Sequence, residues 1–268
     1  MRPEGHCRLC LRAGLLENSH LIPASVYKRF YSQNAPNPNP MLISSRGFVQ
    51  TSRQTKAYLL CSDCESLLNR EGERWVLPLI ANPDQSFPLY DILARVPPDS
   101  ILPEITAFAA VRNSEINVQA LTHFALGIFW KAAVHYWIGG KKETQIKLGP
   151  YEERLREFVH SPRTGPLPDG IALLIAVLPP PKISMLADIP NRGPNGDGFH
   201  NFRFYVPGIQ FILSVGNGID HETCFQSNPL HPICLANIAD QVERGPRRLY
   251  IEAMQRSTQV KKSTHRTH

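Results

Sequence analysis

The stretches Cys7-Arg8-Leu9-Cys10 and Cys61-Ser62-Asp63-Cys64 decide the fold of the N-terminal part of this chain. Each places two thiols at a spacing that lets a tight turn present both sulfurs to one metal ion. Together they supply the four ligands of a structural zinc ion, although four unrelated buried cysteines would be the alternative. The fifty residues between the pairs exceed a minimal zinc finger, so we expect a folded hairpin and loop to join them. The sequence therefore predicts a zinc module in which metal binding supplies folding free energy.

A second motif, Ser19-His20-Leu21-Ile22-Pro23, lies between the two cysteine pairs. The sequence favours a short strand over Leu15–Ile22, which includes most of this motif and ends at Pro23. After the second pair, residues 62–77 have a helical pattern. On this helix Glu65, Asn69 and Glu73 are spaced at i, i+4 and i+8, which places them on one face.

These motifs resemble the HNH, or ββα-metal, endonuclease superfamily in its four-cysteine, treble-clef form. The resemblance covers residues 1–77 and implies a zinc ion on the four cysteines and a nuclease that acts on DNA, with RNA left open. It further implies that His20 activates water and that Glu65, with Asn69 or Glu73, binds catalytic Mg²⁺ or Mn²⁺. Oxygen ligands suit these hard cations.

The chain departs from the superfamily pattern at two positions. Ser19 stands where an acidic residue or a histidine normally binds the metal. The asparagine that usually braces the catalytic histidine is absent just before Leu59, where Lys56 and Ala57 stand. The alternative to a nuclease is therefore a zinc-dependent nucleic-acid-binding or regulatory module without turnover. In a third hypothesis, the rest of the chain binds a small molecule that gates the N-terminal module.

A wider resemblance, to a group of uncharacterised bacterial proteins with a Ser-His-Ile-Ile-Pro type motif, spans most of the chain. It is carried by Phe129-Trp130-Lys131-Ala132 and by the segment from Leu148 to Arg156. It implies architecture rather than activity. A role in defence against foreign DNA is suggested only by the resemblance to the nuclease superfamily.

Residues 81–243 are predicted to form a second α+β unit, with helices followed by a small antiparallel sheet. Val118–Ile138 is an apolar segment that predicts a long buried helix ending at Gly139-Gly140, and Pro150 begins another helix through Val159. The run Ile171–Leu178 predicts a buried strand. Pro207-Gly208 is typical of the turn of a hairpin between two further strands.

Two more features of the second half could take part in binding. His221-x2-Cys224 and His231-x2-Cys234 form a weak second metal-binding pattern. Residues 244–268 form a basic tail with seven basic side chains and one acidic side chain, so the rest of the chain is electrically balanced. Such a tail can contact a phosphate backbone without reading sequence, and its candidate contacts are Arg244, Arg247, Arg248, Lys261 and Lys262.

Composition predicts a protein of the reducing cytoplasm. The first residues lack the apolar run of a secretory signal, and the six cysteines are then expected to bind metal rather than form disulfides. The apolar segment at Leu121–Ile138 is interrupted by charged and histidine side chains, so we expect a buried helix and no membrane partner. The sequence does not indicate an oligomeric state.

Overall fold

The computed structural model of the chain describes residues 2–31, 39–44, 47–101, 105–108, 113–139, 142–161, 167–178, 186–194, 196, 198–219 and 233–236. These residues are mixed α+β, as the sequence predicts. The strands are β1 (Glu4–His6), β2 (Ala13–Leu15), β3 (Glu17–His20), β4 (Met41–Ser44), β5 (Gly47–Gln50), β6 (Lys56–Leu60), β7 (Ser100–Ile101), β8 (Ile105–Phe108), β9 (Trp137–Gly139), β10 (Lys142–Thr144), β11 (Ile171–Val177), β12 (Asp188–Arg192), β13 (Phe199–Val206), β14 (Ile209–Gly216) and β15 (Ile233–Ala236). The α-helices are α1 (Ala24–Lys28), α2 (Ser62–Leu68), α3 (Arg74–Val76), α4 (Pro88–Leu93), α5 (Val118–Val134) and α6 (Tyr151–His160).

The N-terminal unit contains three antiparallel strand pairs, β1–β2, β3–β6 and β4–β5, and the helix that follows β6. The strand predicted over Leu15–Ile22 is instead divided into β2 and β3. The division falls at Leu16, which is buried and whose backbone N–H donates to the carbonyl oxygen of Pro3 at 2.9 Å. As a result β2 pairs with β1, whereas β3 pairs with β6.

The helix after Cys61 changes its winding along its length. It starts as α2, widens to a π-helical turn over Asn69–Glu73, returns to α3, and ends in a 3₁₀ turn at Leu77–Leu79. At Gly72 this helix approaches α5 closely, because a Cβ atom there would lie 3.0 Å from both the backbone N and the Cα of Phe124. The π turn and α5 therefore pack almost backbone to backbone.

Helix α5 is the central helix of the fold and is buried along almost its whole length. Asn117 caps it, its side chain accepting a hydrogen bond from the N–H of Ala120 at 2.9 Å. The expectation that this helix reaches Ile138 is wrong, since it ends at Val134 and the chain becomes extended. At the end of α5 a side chain from β9 bonds to a carbonyl of the last turn. The indole N–H of Trp137 donates to the carbonyl of Lys131 at 2.7 Å.

The main sheet has seven strands in the order β12-β13-β14-β11-β15-β8-β7. It is larger than the small antiparallel sheet expected from the sequence, and β11 pairs with β15 in parallel while every other neighbouring pair is antiparallel. Strand β11 is buried at every position, which confirms the predicted buried strand. The predicted hairpin is confirmed too: β13 and β14 are joined by Pro207-Gly208, where Gly208 takes a φ of 79°.

One contiguous apolar core runs through both predicted units, from Cys7 near the N-terminus to Val215 in β14. Backbone contacts also cross the predicted boundary after residue 80, because the N–H of Ala81 donates to the carbonyl of Pro207 at 2.9 Å. The division of the chain into residues 1–80 and 81–243 stays a prediction, but the two parts are packed on each other over a shared core.

Candidate metal centre and the adjoining charged residues

The first cysteine pair lies in the tight turn between β1 and β2. The N–H of Cys7 donates to the carbonyl of Arg12, and the N–H of Leu11 donates to the carbonyl of Cys7, both at 2.9 Å. Leu11 closes the turn with a φ of 64°, in the left-handed region that glycine usually fills. The turn thereby directs the sulfurs of Cys7 and Cys10 toward one point.

The second cysteine pair lies at the start of α2. Cys61 is the N-cap residue, and Cys64 is buried in the first turn. The unpaired N–H groups and the positive end of the helix dipole at this position favour thiolates over thiols. Because β6 leads directly into this helix, its strand pairing with β3 fixes where the second pair meets the first.

The four sulfur atoms converge to a size that suits one zinc ion. All four Sγ atoms lie within 4.8 Å of one another, and those of Cys10 and Cys61 are 3.8 Å apart. Two sulfurs that each lie about 2.3 Å from one ion in tetrahedral geometry are about 3.8 Å apart. Soft thiolate ligands select zinc over hard cations such as Mg²⁺. Cys7, Cys10, Cys61 and Cys64 can therefore hold a structural metal ion of the zinc type.

The electrostatics of these thiols also indicate a cation. A hydrogen bond from Cys64 lowers the pKa of Cys7 to about 4, and the same bond raises the pKa of Cys64, as burial and the neighbouring negative charge also do. Burial raises the pKa of Cys61. Cys7 thus ionises readily while Cys61 and Cys64 resist ionisation, and a bound cation removes that resistance by compensating the charge.

His20, the predicted water-activating residue, is half-buried at the end of β3. Its Nε2 lies 2.7 Å from Oε1 of Gln54, a residue just before β6. With the amide oxygen as acceptor, the neutral imidazole donates from Nε2 and keeps a lone pair on Nδ1. Burial is the main cause that lowers the pKa of His20, and the charges of Lys56 and Lys131 lower it further. The hydrogen bond with Gln54 and the charge of Glu65 raise it, but the net shift is downward.

The three predicted metal ligands on the following helix do not share one environment. Glu65 is half-buried, and its Oε1 is buried without a hydrogen-bond partner. Asn69 is exposed. Burial raises the pKa of Glu73, while the positive charge of Lys131 partly lowers it. The π turn over Asn69–Glu73 has one more residue than an α turn, so Glu73 departs from the ideal i, i+8 position relative to Glu65.

These residues do not form a second ligand set like that of the cysteines. In the part of the chain that the structure describes, the four cysteines are the single group in which three or more Cys, His, Asp or Glu ligand atoms converge. Glu65 supplies one unpartnered carboxylate oxygen near His20. Ser19, which stands in the usual ligand position, is buried and its hydroxyl donates to the carbonyl of Glu17 at 3.4 Å.

Two residues of this region were missed by sequence reasoning. Gln54 supplies the amide that braces His20. The superfamily pattern places such an amide just before Leu59, and the sequence signal for Gln54 was only an amide side chain shortly before β6. Lys131 lies on α5, is 2% exposed, and donates from Nζ to the backbone carbonyl of His20 at 2.8 Å. Its signal was a lysine inside an otherwise apolar helix.

The remaining predicted binding residues lie largely outside the described part of the chain. His221, Cys224, His231 and the basic tail with Arg244, Arg247, Arg248, Lys261 and Lys262 are not among the described residues. Cys234 lies in β15, for which only the backbone is described. The second metal-binding pattern and the contacts of the tail therefore stay predictions.

Comparison with family models, with curated proteins and with solved structures found no match for this chain. Among the helices of the described residues, none is both long enough and apolar enough to cross a bilayer.

Proposed function

We propose that this protein is a metal-dependent nuclease of the HNH type, which hydrolyses phosphodiester bonds in DNA, with RNA as a second substrate to be tested. The observation that carries the proposal is the half-buried imidazole of His20. It is held at Nε2 by Gln54 at 2.7 Å, and the charge of Glu65, whose carboxylate has a buried oxygen without a hydrogen-bond partner, acts on the ring. A neutral imidazole with a free Nδ1 is suited to accept a proton from water.

The arrangement around the cysteines supports a treble-clef module as the scaffold of this site. Its parts follow one another as a cysteine turn, an antiparallel strand pair and a helix whose first turn carries the second cysteine pair. In this scheme the zinc ion is structural and has no part in the reaction. It fixes the end of β3, where His20 lies, against the start of α2, where Glu65 lies.

The roles of the two catalytic candidates follow from their chemistry. His20 orients the attacking water and takes its proton on Nδ1. Glu65 provides a carboxylate oxygen for Mg²⁺ or Mn²⁺, a cation that proteins often hold with one or two carboxylates and the phosphate of the substrate. When bound, such a cation stabilises the charge on the leaving oxygen. Asn69 is exposed and Glu73 lies two turns along the helix, so Glu65 is the main ligand in this proposal.

The strand face around His20 fits a nucleic acid. Cross-strand partners share one face of a sheet, and here His20 pairs with Lys56 while Asn18 pairs with Tyr58. Lys56 is exposed and Tyr58 is 48% exposed. An ammonium group can contact a phosphate, and an exposed aromatic ring can stack on an unpaired base. The phosphodiester bond would then lie next to His20.

The test is cleavage of supercoiled plasmid, single-stranded DNA and RNA by the zinc-loaded full chain with Mg²⁺ or Mn²⁺. We expect His20→Ala to lower the rate by about a hundredfold or more, and Glu65→Gln to lower it and to weaken activation by the added cation. Zinc content should stay at the wild-type level in both. Glu71→Gln is the matched control, because it removes a carboxylate from the same helix. Cleavage that survives His20→Ala would overturn the assignment.

The competing function is a zinc-dependent binding module without turnover. It is favoured by one observation, the absence of a second converging ligand set among the described residues. Wild-type protein that binds but does not cleave any of the three nucleic acids under these conditions would establish it.

A further inference from the structure

Lys131 occupies an unusual position for a lysine. It lies in α5, where its neighbours in sequence are buried apolar residues, and only 2% of it is exposed. Burying an ammonium group is unfavourable, and replacing a buried charge by an apolar side chain is often neutral or stabilising. Packing of α5 therefore does not explain why this position carries a lysine.

The contact made by Lys131 is with the residue that carries the proposed chemistry. Its Nζ donates to the backbone carbonyl oxygen of His20 at 2.8 Å, across a separation of 111 residues in the sequence. The imidazole of the same residue is bonded to Gln54 at 2.7 Å. His20 is thus held at two points, at its main chain by α5 and at its ring by the segment before β6.

The charged groups around His20 come from three elements. Lys56 lies on β6, Glu65 on α2 and Lys131 on α5, and Gln54 contributes a neutral amide. Lys56 is exposed, so water and salt screen its charge, whereas the charge of Lys131 is buried and is screened much less. Burial is the main cause that lowers the pKa of His20, and the charges of Lys56 and Lys131 lower it further; of these two charges, only that of Lys131 is buried.

We propose that Lys131 is a positioning residue for His20, and that α5 thereby completes the catalytic site of the N-terminal module. The inference rests on the proposed nuclease function for its catalytic consequence, but not for the contact itself. The ammonium group fixes the main chain at the end of β3 and places a buried positive charge near the ring. It touches neither the substrate nor the attacking water.

Space beside Lys131 allows a conservative variant to be designed. A cavity of about 10 Å³, enough for one water molecule, is lined by Glu73, His123, Gly127 and Lys131 among others. Gly127 lies one helical turn before Lys131 and also lines this cavity. The larger guanidinium group of Lys131→Arg can extend into it while keeping the positive charge.

The experiment is the titration of the His20 imidazole by NMR in zinc-loaded full chain, beside the pH profile of cleavage. Lys131→Met is expected to raise the pKa of His20, to shift the acidic limb of the rate profile to higher pH, and to lower kcat by about tenfold to a hundredfold with little change in KM. Lys131→Arg should restore both toward wild type. Lys147→Met, which removes an exposed lysine, is the matched control and should change neither.

The outcomes separate this inference from the nuclease proposal. A raised pKa of His20 in Lys131→Met, in a protein that cleaves nothing, would support the positioning role and overturn the nuclease function. An unchanged titration in folded Lys131→Met would overturn the positioning role whatever the activity. If Lys131→Met fails to fold, Lys131→Gln retains a donor without the charge and should raise the pKa in the same way; an unchanged titration there overturns the inference.

Discussion

Two glycines at the interface between the zinc module and α5 are expected to respond in opposite ways to the same substitution. Alanine is favoured over glycine within a helix by about 1 kcal/mol. At Gly127 the new Cβ would lie 3.3 Å from Cδ2 of Leu68, the movable end of a side chain. At Gly72 it would lie 3.0 Å from the backbone N and Cα of Phe124, which belong to a buried helix.

The magnitudes follow from these contacts. Leu68 can yield by a few tenths of an ångström, so Gly127→Ala should keep about half of the helix preference and stabilise the protein by about 0.5 kcal/mol. The backbone of Phe124 cannot yield without moving α5, and the contact is shorter than the optimum of about 3.5–4.0 Å between non-bonded atoms. Overpacking costs about 1–3 kcal/mol, and the helix preference of about 1 kcal/mol offsets part of this cost, so Gly72→Ala should destabilise the protein by up to about 2 kcal/mol.

Urea unfolding of the zinc-loaded protein, followed by tryptophan fluorescence, measures both effects. At a slope of about 3 kcal/mol per molar, the midpoint should fall by up to about 0.7 M in Gly72→Ala and rise slightly in Gly127→Ala. A Gly72→Ala midpoint at or above the wild-type value would refute the backbone-to-backbone packing of the π turn on α5.

Three further predictions concern the metal centre and the core. Metal analysis should find one zinc ion per chain, and Cys64→Ser should lower both the zinc content and the unfolding midpoint, because it breaks the tetrahedral ligand set; full zinc occupancy in this variant would contradict the assignment. Leu11→Gly should raise the unfolding free energy by up to about 1 kcal/mol, since a left-handed conformation is costly for a residue with a Cβ atom; the same urea titration tests it, and a lowered midpoint would show that the side chain stabilises the turn. Burial lowers the pKa of His123 relative to the unfolded chain, so stability should be lost as the pH falls below about 6.5. The amide of His123→Gln can still donate to the carbonyl of Val159, and this variant should make the unfolding midpoint less dependent on pH between about pH 7.5 and 5. An unchanged pH dependence would exclude His123 as the cause of the stability loss.

The cysteine cluster could be predicted from sequence because its signal is local. Each pair carries its own spacing, and two matching pairs specify one tetrahedral ion wherever the intervening residues go. The position of His20 at a strand end was predicted for the same reason, since Pro23 shortly after it ends the strand. These features depend on a few neighbouring residues and not on the rest of the fold.

The partners of His20 could not be predicted because they depend on contacts between distant segments. Gln54 is 34 residues away and reaches the ring only through the pairing of β3 with β6. Lys131 bonds to a backbone carbonyl, and a carbonyl carries no sequence signature. Glu73 was placed on the face of Glu65 and Asn69 by ideal helical periodicity, which the π turn over Asn69–Glu73 changes.

The size of the main sheet was missed for a related reason. The parallel pairing of β11 with β15 joins strands with a long stretch of chain between them, and β8 comes from before α5. No turn motif links these strands, whereas Pro207-Gly208 identified the β13–β14 hairpin directly. Sequence patterns thus located individual strands but not the order in which they assemble.

The bond between Lys131 and His20 has a consequence for how the protein matures during translation. All four cysteines and both partners of the ring contact, His20 and Gln54, have left the ribosome once the first 64 residues have emerged. The carbonyl of His20 must wait until α5 has been synthesised and has docked. A nascent or prematurely terminated chain would therefore hold every proposed zinc ligand but lack the bond to Lys131, and the proposed nuclease activity would arise only late in biogenesis.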